Sequence, residues 1–323
     1  MPTSLRGRSL LTLRDFSTDE IAAMIDTAAD LKAAKRSALF PKRLAHKNIA
    51  LIFLKPSCRT RASFAVAAAD EGANLEVLPP EDIRFGQKES VKDIARVLGR
   101  LFDGIVFRGF EHELAVELAR HAGVPVWNAL TDTYHPTQIL ADLLTVREVF
   151  GTIRGVSLAY VGDGRNNLAT SLMVGCSKMG VDLRILTPAQ LEPDPSLVKQ
   201  LLEEAAVGAR VTVTASPHEA LEGCDAVYND VWVSMGEEAL LEERIAQLRA
   251  FKVTPQLMSL TGRSDTIYLH CIPALHDRDT AFGRAHPEVC EVEDAVFESP
   301  QSRVFDQAEN RMHTAKAVMV LTA

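Results

Sequence analysis

Five cysteines in 323 residues, at positions 58, 176, 224, 271 and 290, share no spacing that would build a metal site, and they are too scattered for a disulfide framework. Sparse thiols of this kind fit a reducing compartment. Long apolar runs are missing as well. None reaches the length that spans a bilayer, and the N-terminus carries no secretion-signal core, so a cytoplasmic chain with no membrane partner is expected. Nor is there a surplus of positive charge. A net charge of −8 argues against general nucleic-acid binding. It does not argue against a small anion, because local arginines set the field such a ligand meets. No internal repeat or low-complexity tract stands out.

Hydrophobic residues make up 47% and charged residues 24%, enough for a large core, and the length favours two domains over one. Strand-like and helix-like patterns alternate along the chain. This predicts an α/β fold of two doubly wound parallel-sheet domains joined by long helices. In the first half, strand patterns fall at 49–54, 74–78, 104–107 and 124–127. The first helix is opened by Ser17-Thr18-Asp19-Glu20 as a capping box, with Ile21, Met24, Ile25, Ala28 and Leu31 at helical spacing behind it. In the second half, strands are predicted at 156–161, 182–186, 210–214, 226–228 and 266–270, with a helix at 196–206. The domains are expected at 1–148 and 149–306, and a last helix, about 307–323, is expected to pack back on the first.

The stretch Lys55-Pro56-Ser57-Cys58-Arg59-Thr60-Arg61 stands between a buried strand and an alanine-rich helix. Ser57 is suited to cap that helix, and Pro56 keeps the residue before the cap extended. The first helical turn offers unpaired N–H groups and the positive end of the dipole, with Arg59, Arg61 and the Thr60 hydroxyl beside it. This set suits a phosphate-bearing substrate. The competing reading is a capped helix whose arginines pair with nearby acids. Arg108 lies at the carboxyl end of a predicted strand, where open α/β sheets bind ligands. His135 stands at the mouth of a helix opened by Pro136, with Gln138 in its first turn; a histidine there could also serve only as a cap. Gly162-Asp163-Gly164-Arg165-Asn166-Asn167 looks like a dinucleotide fingerprint, but Asn167 fills the third glycine position. A nicotinamide-dependent oxidoreductase is the alternative of a different class.

Ser57-x-Arg-Thr-Arg on a strand-to-helix turn resembles the carbamoyl-phosphate loop of the aspartate and ornithine carbamoyltransferase family. The resemblance extends, toward the ornithine branch in particular, through Lys88-Glu89-Ser90, His135-Pro136-Thr137-Gln138, Asn229-Asp230-Val231-Trp232-Val233-Ser234-Met235-Gly236, His270-Cys271-Ile272-Pro273 and Glu309-Asn310-Arg311. It covers the chain from about residue 15 to the C-terminus. The likeness implies a first domain that binds carbamoyl phosphate and a second that binds ornithine, with no metal or organic cofactor. It implies donor contacts from Ser57, Cys58, Arg59, Thr60, Arg84, Arg108, His135, Gln138, Cys271, Ile272 and Arg311. Of these, Arg108, His135 and Cys271 form the catalytic group. Arg108 and the His135 ring meet the carbonyl oxygen, and the Gln138 amide oxygen accepts from the carbamoyl NH2. Asn167, Asp230, Ser234 and Met235 are implied around the ornithine, with Asp230 on its α-ammonium group and Cys271 beside the side-chain amine. A homotrimer, or an assembly of trimers, is implied too, with the loop holding position 84 reaching a neighbouring subunit's site. Three positions depart from the family pattern: Cys58 stands for threonine, Arg84 for glutamine and Ile272 for leucine.

The implied reaction joins carbamoyl phosphate and L-ornithine to give L-citrulline and phosphate. The attacking amine must be neutral, although a free alkylamine has a pKa of about 10. A closed, dry site lowers that value. Domain closure and the loop at 230–236 would exclude water. Carbamoylation of putrescine or another basic amino acid shares the same donor site, and Asp230 discriminates, because putrescine has no α-ammonium–carboxylate head. A non-catalytic binding module is the remaining alternative.

Overall fold

Alternating apolar strands and amphipathic helices leave each strand to be covered on both faces, and the chain solves this twice. The computed structural model describes residues 4–233 and 236–323. The chain divides into two units, one of Met1–Leu144 with Glu309–Ala323, the other Thr145–Ala308.

The first unit opens with α1 (Thr18–Arg36), started by the capping box: the Ser17 hydroxyl accepts from Glu20 N at 3.2 Å, and the Glu20 carboxylate accepts from Ser17 N at 2.8 Å. Ile21, Met24, Ile25, Ala28 and Leu31 are all buried, as their spacing predicts. The sheet is built from β1 (Asn48–Phe53), β2 (Asn74–Leu78), β3 (Gly104–Arg108) and β4 (Val126–Leu130), with α2 (Cys58–Asp70), α3 (Val91–Leu101) and α4 (His112–Ala122) as crossovers. All pairings are parallel and the order is β2-β1-β3-β4. The chain therefore winds outward from β1 to β2, then returns to place β3 on the other side of β1. The carboxyl ends of β1 and β3 face the crevice made by this reversal, which is where open sheets hold ligands. Phe53 is in register with Arg108, so the loop after β1 and the end of β3 lie side by side. Gly104 is required by packing, since a Cβ there would stand 2.2 Å from the ring of buried Trp127.

α5 (Pro136–Phe150) follows, and the second unit repeats the plan. Its strands are β5 (Ser157–Val161), β6 (Asp182–Leu186), β7 (Arg210–Thr214), β8 (Ala226–Asn229) and β9 (Ile267–His270). The main crossovers are α6 (Asn167–Met179) and α7 (Pro195–Glu203), then the short α8 (Pro217–Leu221), α9 (Leu241–Leu248) and α10 (Pro255–Ser259). The order β7-β6-β5-β8-β9, again wholly parallel, reverses between β5 and β8. Val161 pairs with Asn229, and Asn229 pairs with His270. The turns after β5, β8 and β9 thus sit in a row. The core beneath them includes Ala159, Val161, Val227, Tyr268, Val253, Val296 and Phe297. Two short helices, α11 (Ala281–Ala285) and α12 (Asp294–Phe297), lead to α13 (Val304–Thr322).

Three elements differ from the sequence reading by more than one residue at a boundary. The fourth strand runs from Val126 to Leu130 rather than from 124 to 127, because its pairing with β3 continues past Trp127, with Phe107 opposite Asn128 and Arg108 opposite Leu130. α7 ends at Glu203 rather than near 206, where the chain turns to bond Ala206 N to Ser177 O. The last helix begins at Val304, earlier than the expected 307. Val304 is fully buried and Gln307 is tied through its side chain to His270 N, so this turn is fixed by packing that no local signal announces.

Candidate active site

In the first unit the phosphate loop has the local form its residues dictate. Ser57 is extended and caps α2, its hydroxyl accepting from Thr60 N at 3.3 Å. Cys58 is the first residue of the helix and is exposed, as are Arg59 and Arg61. Thr60 points the other way and is fully buried. Its Oγ1 accepts from Arg311 Nη2 at 2.7 Å and from Arg108 Nη1 at 3.5 Å. A hydroxyl that accepts twice keeps its hydrogen for a third partner. Arg108 comes from the end of β3 and Arg311 from α13, and both guanidinium groups are buried.

His135 lies beside them and is also buried. Burial, and then the Arg311, Arg108 and Lys55 charges, push its imidazole well below the usual histidine value. A neutral ring has one donor and one acceptor nitrogen. Nδ1 lies 3.5 Å from the Thr137 hydroxyl, and which of the two donates follows the ring's tautomer. Gln138, one turn on, gives its Nε2 to Asp142 Oδ1 at 2.8 Å. A carboxylate only accepts, so this bond fixes which way the amide faces. The Gln138 Oε1 is buried with no hydrogen-bond partner, an acceptor turned toward nothing the protein supplies. The first unit therefore gathers buried cations, a neutral imidazole donor and an open amide acceptor. That combination matches an anion carrying both a carbonyl and an NH2 group.

The second unit presents a different chemistry. Asp230 follows β8 and is buried, and Cys271 follows β9. The Cys271 thiol donates to Asp230 Oδ1 at 2.9 Å, and Val231 N donates to the same oxygen at 2.8 Å. Asn166 Nδ2 donates to the other oxygen at 3.3 Å. The backbone beyond Cys271 is held by a buried pair: His270 Nε2 meets Glu291 Oε1 at 3.2 Å, and His270 Nδ1 accepts from Ile272 N at 2.9 Å. Glu291 Oε1 also accepts from Leu275 N at 2.7 Å. Burial outweighs these bonds and raises the Glu291 carboxyl above its ordinary value.

The sequence-predicted residues fall into three groups. Ser57, Thr60, Arg108, His135, Gln138 and Arg311 lie in the first unit, with Thr60 joining the two arginines. Asp230 and Cys271 come together in the second, next to Ile272, while Asn167 is the half-buried first residue of α6. Arg84 is not drawn to the Thr60 cluster. It is exposed, and its Nε donates to Glu81 O at 3.2 Å. Ser234 and Met235 lie outside the described residues.

Sequence reasoning missed several contributors. Lys55 is buried over the Phe110 ring, 5.1 Å from its centroid, and its charge acts on His135. Its position directly after an apolar strand and before the cap was the available signal. Asn166 and His270 stand next to Asn167 and Cys271, which carry the motif roles, and Glu291 reaches His270 only through the fold, with no local signal.

Among the described residues, one group could hold a metal ion: His276, Asp277 and Asp294 bring ligand atoms within 4.8 Å of one another. There, however, Asp294 faces Nδ1 at 2.7 Å and Asp277 faces Nε2 at 3.7 Å, while the ring stacks on Phe297. The carboxylates address opposite ring nitrogens, which pins a histidine rather than converging on a cation.

Comparisons with known proteins point the same way as the geometry. Residues 8–148 match the family model described as the carbamoyl-P binding domain of aspartate/ornithine carbamoyltransferase, and residues 154–322 match its Asp/Orn binding domain. The chain is 55% identical over 325 residues to ornithine carbamoyltransferase 2, anabolic, from Pseudomonas savastanoi pv. phaseolicola, covering 99% of this chain and 98% of that one. It is 51% identical over 327 residues to the catabolic ornithine carbamoyltransferase of Bacillus licheniformis, covering 99% and 97%. Among solved structures, ornithine carbamoyltransferase from Pyrococcus furiosus superposes with a TM-score of 0.91 at 40% identity, covering 99% of this chain and 98% of that one.

Proposed function

The chain belongs to the aspartate/ornithine carbamoyltransferase family, and from that premise we propose that it transfers the carbamoyl group of carbamoyl phosphate to the side-chain amine of L-ornithine, releasing L-citrulline and phosphate. The observation that carries this reading is the convergence of the Arg108 and Arg311 guanidinium groups on Thr60 Oγ1 beside a neutral His135. Ser57, Cys58, Arg59, Thr60 and the first-turn amides of α2 hold the phosphate. Arg108 and the His135 ring polarise the carbonyl, and the open Gln138 Oε1 takes the carbamoyl NH2. Asp230 takes the α-ammonium group of ornithine, with Asn167, Ser234 and Met235 around it, and Cys271 and Ile272 line the reacting end.

In the step itself, the δ-amine lone pair forms a bond to the carbonyl carbon and gives a tetrahedral intermediate. The bond from that carbon to the phosphate oxygen breaks, and the leaving phosphate keeps the electron pair. The nitrogen loses one proton, which the phosphate can accept. No protein acid is needed at His135, in keeping with its depressed proton affinity. Both anabolic and catabolic relatives share this reaction.

The same reading extends to assembly and location. We place the working unit as a homotrimer, in which the exposed Arg84 of one chain meets the phosphate of its neighbour. Exposed apolar side chains on α3, Val97 at 55% and Leu101 at 64%, support a covered face there. Five free thiols suit a reducing cytoplasm, and no helix among the described residues is long and apolar enough to cross a membrane.

A colorimetric citrulline assay with carbamoyl phosphate and a panel of amines, putrescine and lysine included, tests the function. Turnover with ornithine far above the others is expected; equal or greater turnover with putrescine would overturn the acceptor assignment. Asp230→Asn should raise the ornithine KM far more than the carbamoyl phosphate KM, and equal effects on both would count against the role of Asp230.

A further inference from the structure

A carboxylate that must meet an ammonium group in one orientation needs its plane fixed. Asp230 Oδ1 is fixed from nearby by Val231 N and the Cys271 thiol. Its Oδ2 depends on a residue from another turn, Asn166, which stands immediately before α6. The Asn166 side chain is itself held on two further sides. Its Oδ1 accepts from Ala169 N at 2.7 Å, which caps the helix, and its Nδ2 donates to Tyr160 Oη at 2.9 Å. Tyr160 is fully buried in the middle of the second sheet, and its hydroxyl donates to Asp163 O at 3.3 Å. Burial, then the Asp230 and Asp163 charges, push this phenol well above its ordinary value, so it keeps its hydrogen. Flipping the Asn166 amide would turn NH2 toward Ala169 N–H, so the cap dictates that the donor end faces Asp230.

This explains why an asparagine stands here. Serine, threonine and aspartate cap a helix about as well. None of them can accept from the first turn with one atom while donating across to a neighbouring strand end with another. We infer that Asn166, oriented by its capping bond and by Tyr160, is a positioning residue that sets the Asp230 carboxylate for the ammonium group of the acceptor. The inference rests on the assignment of Asp230 made above and adds the group that aims it.

The test separates capping from aiming. Asn166→Ser keeps a capping oxygen but is too short to reach Asp230. It should raise the ornithine KM about tenfold, the usual scale for losing a hydrogen bond to a charged group, with the carbamoyl phosphate KM and the melting temperature nearly unchanged. Asn166→Ala should show the same KM change together with a lower melting temperature, because it loses the cap as well. Asn166→Thr provides a second capping variant with the same expectation as serine. In an Asp230→Asn background, adding Asn166→Ser should change the ornithine KM by less than about twofold, since its effect runs through Asp230. The inference is overturned if both capping variants leave the ornithine KM at the parent value, if both substrates' KM values rise together, or if the effects of the two sites multiply independently. Should the parent use ornithine and Asp230→Asn respond while Asn166→Ser does not, this inference alone falls. Should the parent carbamoylate no amine, it falls together with the proposed function.

Discussion

A threonine hydroxyl has two lone pairs and one hydrogen. At Thr60 both lone pairs receive guanidinium N–H groups, from Arg311 and Arg108, and the hydrogen remains for a ligand. Thr60→Val keeps the shape and removes all three functions. The variant should raise the carbamoyl phosphate KM at least about tenfold, on the scale of a charged hydrogen bond, while the ornithine KM stays within about twofold; steady-state kinetics with each substrate varied would check this. His135 offers a pH prediction. Burial and three neighbouring cations lower its proton affinity in the folded chain. Below the unfolded value of about 6.5, the unfolded chain takes up a proton that the folded chain refuses, so this residue's contribution to stability weakens as pH falls from there. In the ligand-free protein its imidazole resonances should show no titration near pH 6.5. His135→Gln should flatten part of the loss of melting temperature between pH 6.5 and 5. At this scale the sequence was informative about residue identity and silent about state. Neither the neutrality of His135 nor the open Gln138 Oε1 can be read without knowing what surrounds them.

Helices α1, α2 and α13 are joined by one acid. Asp70, at the end of α2, accepts from Lys316 Nζ and from Lys35 Nζ, each at 2.6 Å. Burial works against its carboxylate, but the two ammonium groups outweigh it and hold its pKa below the ordinary value. The stabilisation is therefore present above about pH 4 and is lost as pH falls through the lower folded value. Lys316 is 1% exposed, so removing its partner strands a buried charge. Asp70→Asn should cost about 3 kcal/mol near neutral pH, seen as a lower apparent melting temperature, with the difference from the parent shrinking in acid. This loss bears on function, because α13 carries Arg311. Element by element, strands and long helices were legible from periodicity and caps. The short helices α8 to α12 were not, being four to eight residues each. At that length no periodic face develops, and Val253, Val292, Val296 and Phe297 are buried by contacts distant in sequence.

For the whole molecule, the decisive question is whether one chain completes another's site. Arg84 is exposed and belongs to no cluster with Thr60 in its own chain. If it serves a neighbour, Arg84→Ala and Arg108→Ala should complement. Each variant alone should be nearly inactive. Mixed, dissociated and reassociated, they should recover about a quarter of the parent rate when protomers of a cyclic assembly assort at random. Sedimentation should give about three times the 35.3 kDa chain mass. Failure to complement, with Arg84→Ala fully active by itself, would remove Arg84 from the donor site. Replacement of Val97 and Leu101 by lysine should shift the sedimenting species toward monomer.

By itself the sequence determined the turns to within a residue: a strand read to Leu54 that ends at Phe53, a serine that caps the next helix, and a carboxylate at the end of β8. These follow from local propensity, capping chemistry and period, which act over a few residues. Only the tertiary structure decided that Thr60 meets Arg108 across 48 residues and Arg311 across 251, and that Asn166 meets Asp230 across 64. Arg311 arrives on α13, and for the other two contacts the reason is the strand order. Each sheet reverses its winding once, and that reversal sets distant strand ends side by side, a choice made by packing both faces of a parallel sheet rather than by any short stretch of chain.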